Sequence, residues 1–437
     1  MTSKLFGGLA WRYGFLAAAI YFLYITSSLN PGWRAEPVLS DDALTYANNA
    51  SQLLQSRHFT RELYPPYLWE PYRTPGYPLL IAFGLWASGG VNVTLYLAAL
   101  GGGIAATTAV LFCSTLGGGK LEQHISGLLV ILMPNALGLS AQLLTDGIAG
   151  FLFLVWAYCC WKGLRQNDNR FYILSIFIML FLQLLKPTFF AGSLLIIWAF
   201  FTLLGKQIVN KKASLAASLL ILTIFPLATT LFIHKDHGVW ASNLKGVEAI
   251  RDYLQVEYLS EITGQDFTEI SQEISAQDHR AADEMTSPVS FDGRLYLVRQ
   301  TEVQKFLQQN PFGALEILAK QTLKQFSAPQ EFAYQVLWGQ LPKWGRVLAS
   351  MLTFALWAVA GIGGWWLIRS GDWRTPLFLF GLVVFFLIVG SVSQRVGARL
   401  RFPADMTSIP LMALGIGWVI QCLYRQLNSR RYKQFSS

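Results

Sequence analysis

The stretch RTPGYPLLIAFGLWA, positions 73–87, decides the fold, because the parity of every later membrane crossing depends on whether it counts as one. From Gly76 to Ala87 it is apolar, yet at roughly a dozen residues it falls short of the ~20 that a helix needs to cross a hydrocarbon core of ~30 Å. It reads instead as an interfacial or re-entrant helix over 76–88. The longer apolar runs around it are spans, near 12–29, 92–116, 124–142, 146–162, 171–186, 188–205, 213–233, 345–368, 375–392 and 407–424. The expected fold class is therefore an all-α polytopic membrane protein of about ten transmembrane helices.

Composition agrees: of 437 residues 53% are hydrophobic and only 14% charged. The distribution of charge then tests the short segment. With it excluded and the N-terminus inside, Lys4, Arg12, Lys120, Lys162, Arg165, Arg170, Lys206, Lys211, Lys212, Arg369, Arg374, Arg425, Arg430, Arg431 and Lys433 all fall on the cytoplasmic side, as the positive-inside rule requires. The opposite parity scatters them. The net charge of +9 is thus an orientation signal in short loops, and nucleic-acid binding drops out. All four cysteines lie in apolar spans, without metal-ligand spacing or paired outer positions, so neither a structural disulfide nor a zinc site is expected. No small-residue cleavage pattern follows the first span, which reads as a retained signal anchor. The expected location is a bacterial inner membrane, with both termini cytoplasmic.

Three regions follow from this reading. Positions 1–233 form an N-terminal transmembrane module with a first outer loop over 30–75, positions 234–344 a helical extracytoplasmic lobe, and positions 345–437 the C-terminal spans and a cytoplasmic tail. In the lobe, RLYLVRQTEVQKFLQQ at 294–309 is amphipathic, and Pro311 suits the start of a following helix.

The unusual polar residues converge on the outer face. Asp41 and Asp42 follow the first span in SDDALTYANNASQLL (40–54), Arg73 precedes the short helix, Asp146 begins the fourth span and Lys186 ends the fifth. Arg395, Arg399 and Arg401 lie between the last two spans. Each also has a structural reading. Ser40 is a good N-cap and the acids after it complement the helix dipole; Asp146 follows Thr145 as a cap would. Lys186 suits a snorkelling helix end, and the arginines suit lipid headgroups. His234 and His237 lack a third ligand at metal spacing.

DALTY at 42–46 with RTPGYPLLIA at 73–82 resembles the first outer loop of the membrane-embedded GT-C glycosyltransferases, in particular the protein O-mannosyltransferase and lipid A aminoarabinose transferase group. The resemblance continues through PNALGLSAQLLTDGIAGFLF (134–153), LLKPTFF (184–190) and RLRFPADMTSIPLMALGIG (399–417), and so covers most of the chain. It implies transfer of a sugar from a polyprenyl-phosphate donor to an acceptor hydroxyl on the extracytoplasmic face. Asp42 matches the family's base, one helical turn from the supporting Tyr46. Arg399 and Arg401 match its basic cluster for the donor phosphate, with Lys186 and Arg73 adding charge and Asp41, Asp146 and Arg395 in support. Lys186 is a departure, since these enzymes commonly carry Arg there and a planar fork is replaced by a point charge. Relatives with a larger soluble C-terminal domain differ too, which leaves acceptor recognition to the two outer loops.

The acceptor is open between glycan, lipid and protein, and membrane lipid is the other expected partner. No cofactor is expected; Asp41, Asp42 and Asp146 are the set that would gather an oxygen-ligated divalent cation. The competing readings are a lipid or polysaccharide transporter, marked by a continuous polar path across the spans, a polymer ligase using a lipid diphosphate, marked by an outer loop rich in Arg and His, and a non-catalytic membrane scaffold.

Overall fold

The computed structural model describes residues 3–28, 41–205, 211–328, 342–393 and 399–435. It is 84% helical and contains no strand among the described residues, so the chain is an all-α polytopic membrane protein. Eight of the described helices are long and apolar enough to cross a membrane.

The N-terminal half runs α1 (Ser3–Ser28), α2 (Asp41–Gln55), α3 (Gly76–Ser88), α4 (Asn92–Thr115), α5 (Lys120–Leu132), α6 (Pro134–Ser140), α7 (Thr145–Arg165), α8 (Asn169–Leu185), a 3-10 turn (Pro187–Ala191) continuing into α9 (Gly192–Leu204), and α10 (Lys212–His237). Helix α3 is not among the eight: its 13 residues make about 20 Å of helix at ~1.5 Å per residue. Gly89, left-handed at φ 71°, closes it with its N–H on the Leu85 carbonyl. Leu79, Phe83 and Trp86 form an exposed apolar stripe at i, i+4, i+7, while Tyr77 and Ile81 are buried against the bundle.

The run expected as one span over 124–142 is two helices, α5 and α6, bent by 43°. Pro134 is the cause. It has no N–H for the preceding turn and holds Met133 extended at ψ 116°. The expected fifth span is α8, of only 17 residues.

Tight helix crossings rest on small residues, which replace the hydrophobic driving force that lipid removes. At the α1–α4 crossing, a Cβ on Gly103 would stand 2.7 Å from the Gly14 carbonyl oxygen. The Gly cluster at 101–103 thus serves close packing. Buried Tyr21 of α1 donates its hydroxyl to the Val130 carbonyl at 2.6 Å. Helix α7 lies at the centre, 83% buried over its most apolar window; α10 is peripheral, at 22%.

Beyond Gly238 the chain forms shorter helices: α11 (Lys245–Ala249), a π turn (Ile250–Gln255), α12 (Val256–Thr263), α13 (Phe267–Glu284), α14 (Phe291–Gln309) and α15 (Pro311–Ser327). The expected amphipathic helix falls inside α14, and Pro311 does open α15 at its first position. These helices pack through their own small cores, one of Leu254, Phe306, Ala314 and Ile317, another of Val256, Ile270 and Ile274. His237 joins them to the segment between α2 and α3: its Nε2 meets the Trp69 carbonyl and its Nδ1 the Ser290 hydroxyl, each at 2.7 Å. The chain ends with α16 (Lys343–Arg369), α17 (Arg374–Ser393) and α18 (Phe402–Phe435). Helices α16 and α18 cross where a Cβ on Gly415 would stand 1.8 Å from the Val359 carbonyl oxygen.

Candidate functional site

Four distant segments meet at one end of the bundle, each delivered by a local feature of its sequence. Helix α2 buries Ala43, Tyr46 and Ala50 at i, i+3, i+7, which leaves Asp42 about one-third exposed at its first turn. In α7, Asp146 occupies the first turn and is 1% exposed. Lys186 follows α8 and precedes Pro187; the proline ring excludes helical geometry there, and Lys186 is extended at φ −153°, ψ 130°. Arg399 stands in the turn that starts α18, its carbonyl accepting the Phe402 N–H at 3.3 Å.

The side chains form one charge-alternating row. Arg73 donates from Nη2 to Asp42 Oδ1. Arg399 then bridges both acids, with Nη1 2.8 Å from Asp42 Oδ2 and Nε 2.8 Å from Asp146 Oδ2. Lys186 Nζ completes the row on Asp146 Oδ1. Asp146 is therefore not a cap: the N-cap of α7 is Leu144 without a side-chain bond, and both carboxylate oxygens go to the cations. The Arg73 guanidinium also lies over the Tyr46 ring, 5.4 Å from its centroid, and Tyr46 meets Tyr77 edge-on at 5.2 Å. Burial raises the Asp42 carboxyl, but Arg399 and Arg73 outweigh it and hold Asp42 below its ordinary value. Burial disfavours the charged form of Arg399; Asp146 and Asp42 overcome this and raise its pKa.

These groups surround a cavity of about 160 Å³ lined by Asp42, Tyr46, Arg73, Lys186, Thr188, Lys245 and Arg399 among others. Four cations, Arg73, Lys186, Lys245 and Arg399, face it against the single carboxylate of Asp42. Asp146 compensates two of them from behind, which keeps them in place without filling the cavity. Such a chamber suits an anion with several oxygen acceptors.

Asp42, Tyr46, Arg73, Asp146, Lys186 and Arg399 are thus brought together. Arg401, expected beside Arg399 on the phosphate, is not. It is 0% exposed and turned the other way, pairing with Asp405 at 2.9 Å and donating from Nη1 to the carbonyls of Gln325, Phe326 (3.3 Å) and Ala328 (3.0 Å). These are carbonyls at the end of α15, which lack intrahelical donors, so Arg401 caps that helix against the bundle. Arg395, Ser40 and the side chain of Asp41 lie outside the described residues.

Sequence reasoning missed Tyr72, Lys245 and Tyr253, which complete the wall. Tyr72 stands next to Arg73 in the quoted motif and could have been found there. Lys245 and Tyr253 sit in ordinary surface-like helix sequence, and only the docking of α11 and the π turn brings them to the cavity. Comparison with protein-family models and with curated proteins finds no match for this chain.

Proposed function

We propose that this protein is an integral-membrane glycosyltransferase of the GT-C type that moves a sugar from a polyprenyl phosphate to an acceptor hydroxyl, with Asp42 as general base. The observation that carries the reading is the cavity with four cations and one carboxylate, at the level where α7, α8 and α18 begin or end. In this reading the donor phosphate sits between Arg399, Arg73 and Lys186, and its polyprenyl tail stays in lipid. The acceptor oxygen attacks the anomeric carbon as Asp42 takes its proton. The bond from that carbon to the phosphate oxygen breaks, the electron pair leaves with the polyprenyl phosphate, and a single displacement inverts the anomeric centre.

The ion pairs add a condition on the order of events. Asp42 is held by Arg399 and Arg73, and a carboxylate so held is a weak base. An arriving phosphate competes for those same guanidinium groups and leaves Asp42 more basic. Donor binding thus prepares the base, and Asp42 remains neutralised while the site is empty.

The topology belongs to the same proposal: ten crossings, with the bent pair α5–α6 and the short α8 each counted once, α3 along the outer interface, both termini cytoplasmic and α11 to α15 outside. Support comes from Lys186 meeting Asp146, since a hairpin of α7 and α8 returns to its starting level only if both cross the same distance. In a bacterial inner membrane the cavity then opens on the extracytoplasmic side. Cysteine labelling from either side tests this, and a cytoplasmic residue 62 or 305 would overturn it.

The decisive experiment is binding of polyprenyl phosphate to the purified chain in nanodiscs, compared with Arg399→Gln. The reading expects binding that weakens at least tenfold in the variant. A wild-type chain that does not bind the lipid phosphate refutes the donor assignment.

A further inference from the structure

A second, larger cavity of about 430 Å³ adjoins the first and shares Tyr72, Arg73 and Lys245 with it as a common wall. It lies between the end of the first outer loop and helices α11, α13 and α14. Four cations, Arg61, Arg73, Lys245 and Arg299, face three carboxylates, Glu70, Glu248 and Asp292. Most are already satisfied by one another. Arg61 pairs with Asp292 at 2.5 Å, Lys245 with Glu248 at 2.5 Å, and Arg299 turns to Asp278 at 3.3 Å and Asp252 at 3.6 Å.

Glu70 is the exception. Its Oε1 accepts the Tyr72 N–H at 2.9 Å, but Oε2 has no hydrogen bond, although the residue is 1% exposed. Arg61 Nε stands 3.9 Å from that oxygen, close enough for charge and too far for a hydrogen bond. A buried carboxylate oxygen without a donor is costly, so a donor that arrives with an occupant is strongly favoured there. An anion is disfavoured, because the open atom is itself anionic. An ammonium group is disfavoured by the surplus of positive charge on the same wall, four cations against three carboxylates. A hydroxyl group remains. Phe291, 37% exposed beside the His279 ring, adds an aromatic face of the kind on which the apolar face of a pyranose stacks.

We propose that this outer cavity binds an uncharged, hydroxyl-rich saccharide, the acceptor of the transfer, with Glu70 accepting from its hydroxyls and Phe291 stacking on its ring. The assignment as acceptor rests on the glycosyl-transfer reading of the inner cavity; the saccharide site itself does not. Among the acceptor classes left open by the sequence, it selects a glycan. The shared wall of Tyr72, Arg73 and Lys245 places that glycan next to the group that would take its proton.

The test uses the full chain in nanodiscs and a panel of methyl glycosides of neutral hexoses and N-acetylhexosamines, with a hexosamine and a hexose phosphate as charged competitors, read by saturation-transfer NMR and calorimetry. At least one neutral glycoside should bind, and Glu70→Gln should weaken it at least tenfold while polyprenyl phosphate binds as in the wild type. Phe291→Ala, a change at an exposed position, should weaken it too and serves if Glu70→Gln fails to fold. Absence of any neutral glycoside binding, binding that survives both variants, or stronger binding of the amine form, or of the phosphate form once Arg399→Gln has disabled the inner cavity, overturns the inference. A chain that binds the glycoside through Glu70 but no polyprenyl phosphate would refute the donor reading and leave the saccharide site standing.

Discussion

Replacing Asp42 by Asn keeps the size and shape of the side chain and removes its charge from between Arg73 and Arg399. The two proposed roles then move in opposite directions. Loss of a general base lowers turnover by roughly 10²- to 10⁴-fold. Donor binding should improve, because a phosphate no longer displaces a carboxylate to reach the arginines. A hydrogen bond to a charged group is worth ~1.5–3 kcal/mol net, and exposure and screening reduce this for a side chain one-third open to water. A gain of about 1–2 kcal/mol is thus expected, which is roughly 5- to 30-fold in Kd at ~1.4 kcal/mol per tenfold. Calorimetry with polyprenyl phosphate reads the donor affinity, and single-turnover transfer from a radiolabelled polyprenyl-phosphate sugar reads the rate. Donor affinity unchanged or weaker in Asp42→Asn would refute the competition argument. Full transfer activity would return SDDALTY to a plain helix start, since a cap needs no particular carboxylate at this position.

Asp146→Asn removes the one carboxylate that both Lys186 and Arg399 share from behind, and breaking such a buried pair should cost on the order of 3 kcal/mol, read by steric trapping or denaturant unfolding. Arg401→Gln should destabilise by about 3–5 kcal/mol through uncapping of α15 and loss of the buried ion pair to Asp405, yet leave the donor Kd of the folded fraction unchanged; a selective loss of donor binding would restore Arg401 to the site. Gly415→Ala drives a methyl group into the Val359 carbonyl and should cost ~1–3 kcal/mol or more at the α16–α18 crossing, whereas Gly361→Ala, which meets open space, should not destabilise. The pH dependence follows from Asp42. Its folded pKa lies below the ordinary 3.8, so its contribution to stability is complete above that value and is lost as pH falls below it, through the folded pKa. An Asp42-dependent stability loss that begins near neutral pH would contradict the ion pairs.

The sequence by itself determined the class and the frame. Apolar run lengths report directly on bilayer thickness, so most of the expected runs fell on helices, while the run over 124–142 broke at Pro134 and the segment from Gly76 to Ala87 formed a helix too short to count among the eight. Charged residues beside such runs are rare enough to stand out, which is why Asp42, Arg73, Asp146, Lys186 and Arg399 could be picked before their contacts were known. Local sequence even carried part of the geometry, as at Lys186, where the following proline dictates an extended backbone.

What tertiary structure alone decided is which way each charge points and what faces it. Arg399 and Arg401 are two residues apart, and no one-dimensional signal distinguishes them. The turn into α18 sends one to Asp42 and Asp146 and the other to the carbonyls ending α15, a segment remote in the chain. The same holds for Glu70: its side-chain hydrogen bond from the Tyr72 N–H is local, but the cavity it lines is closed by residues of α11, α13 and α14. A side chain's type and spacing are properties of the chain. Its partner is set by which helix ends the packed core brings within a few ångströms, and that depends on every crossing in the bundle at once.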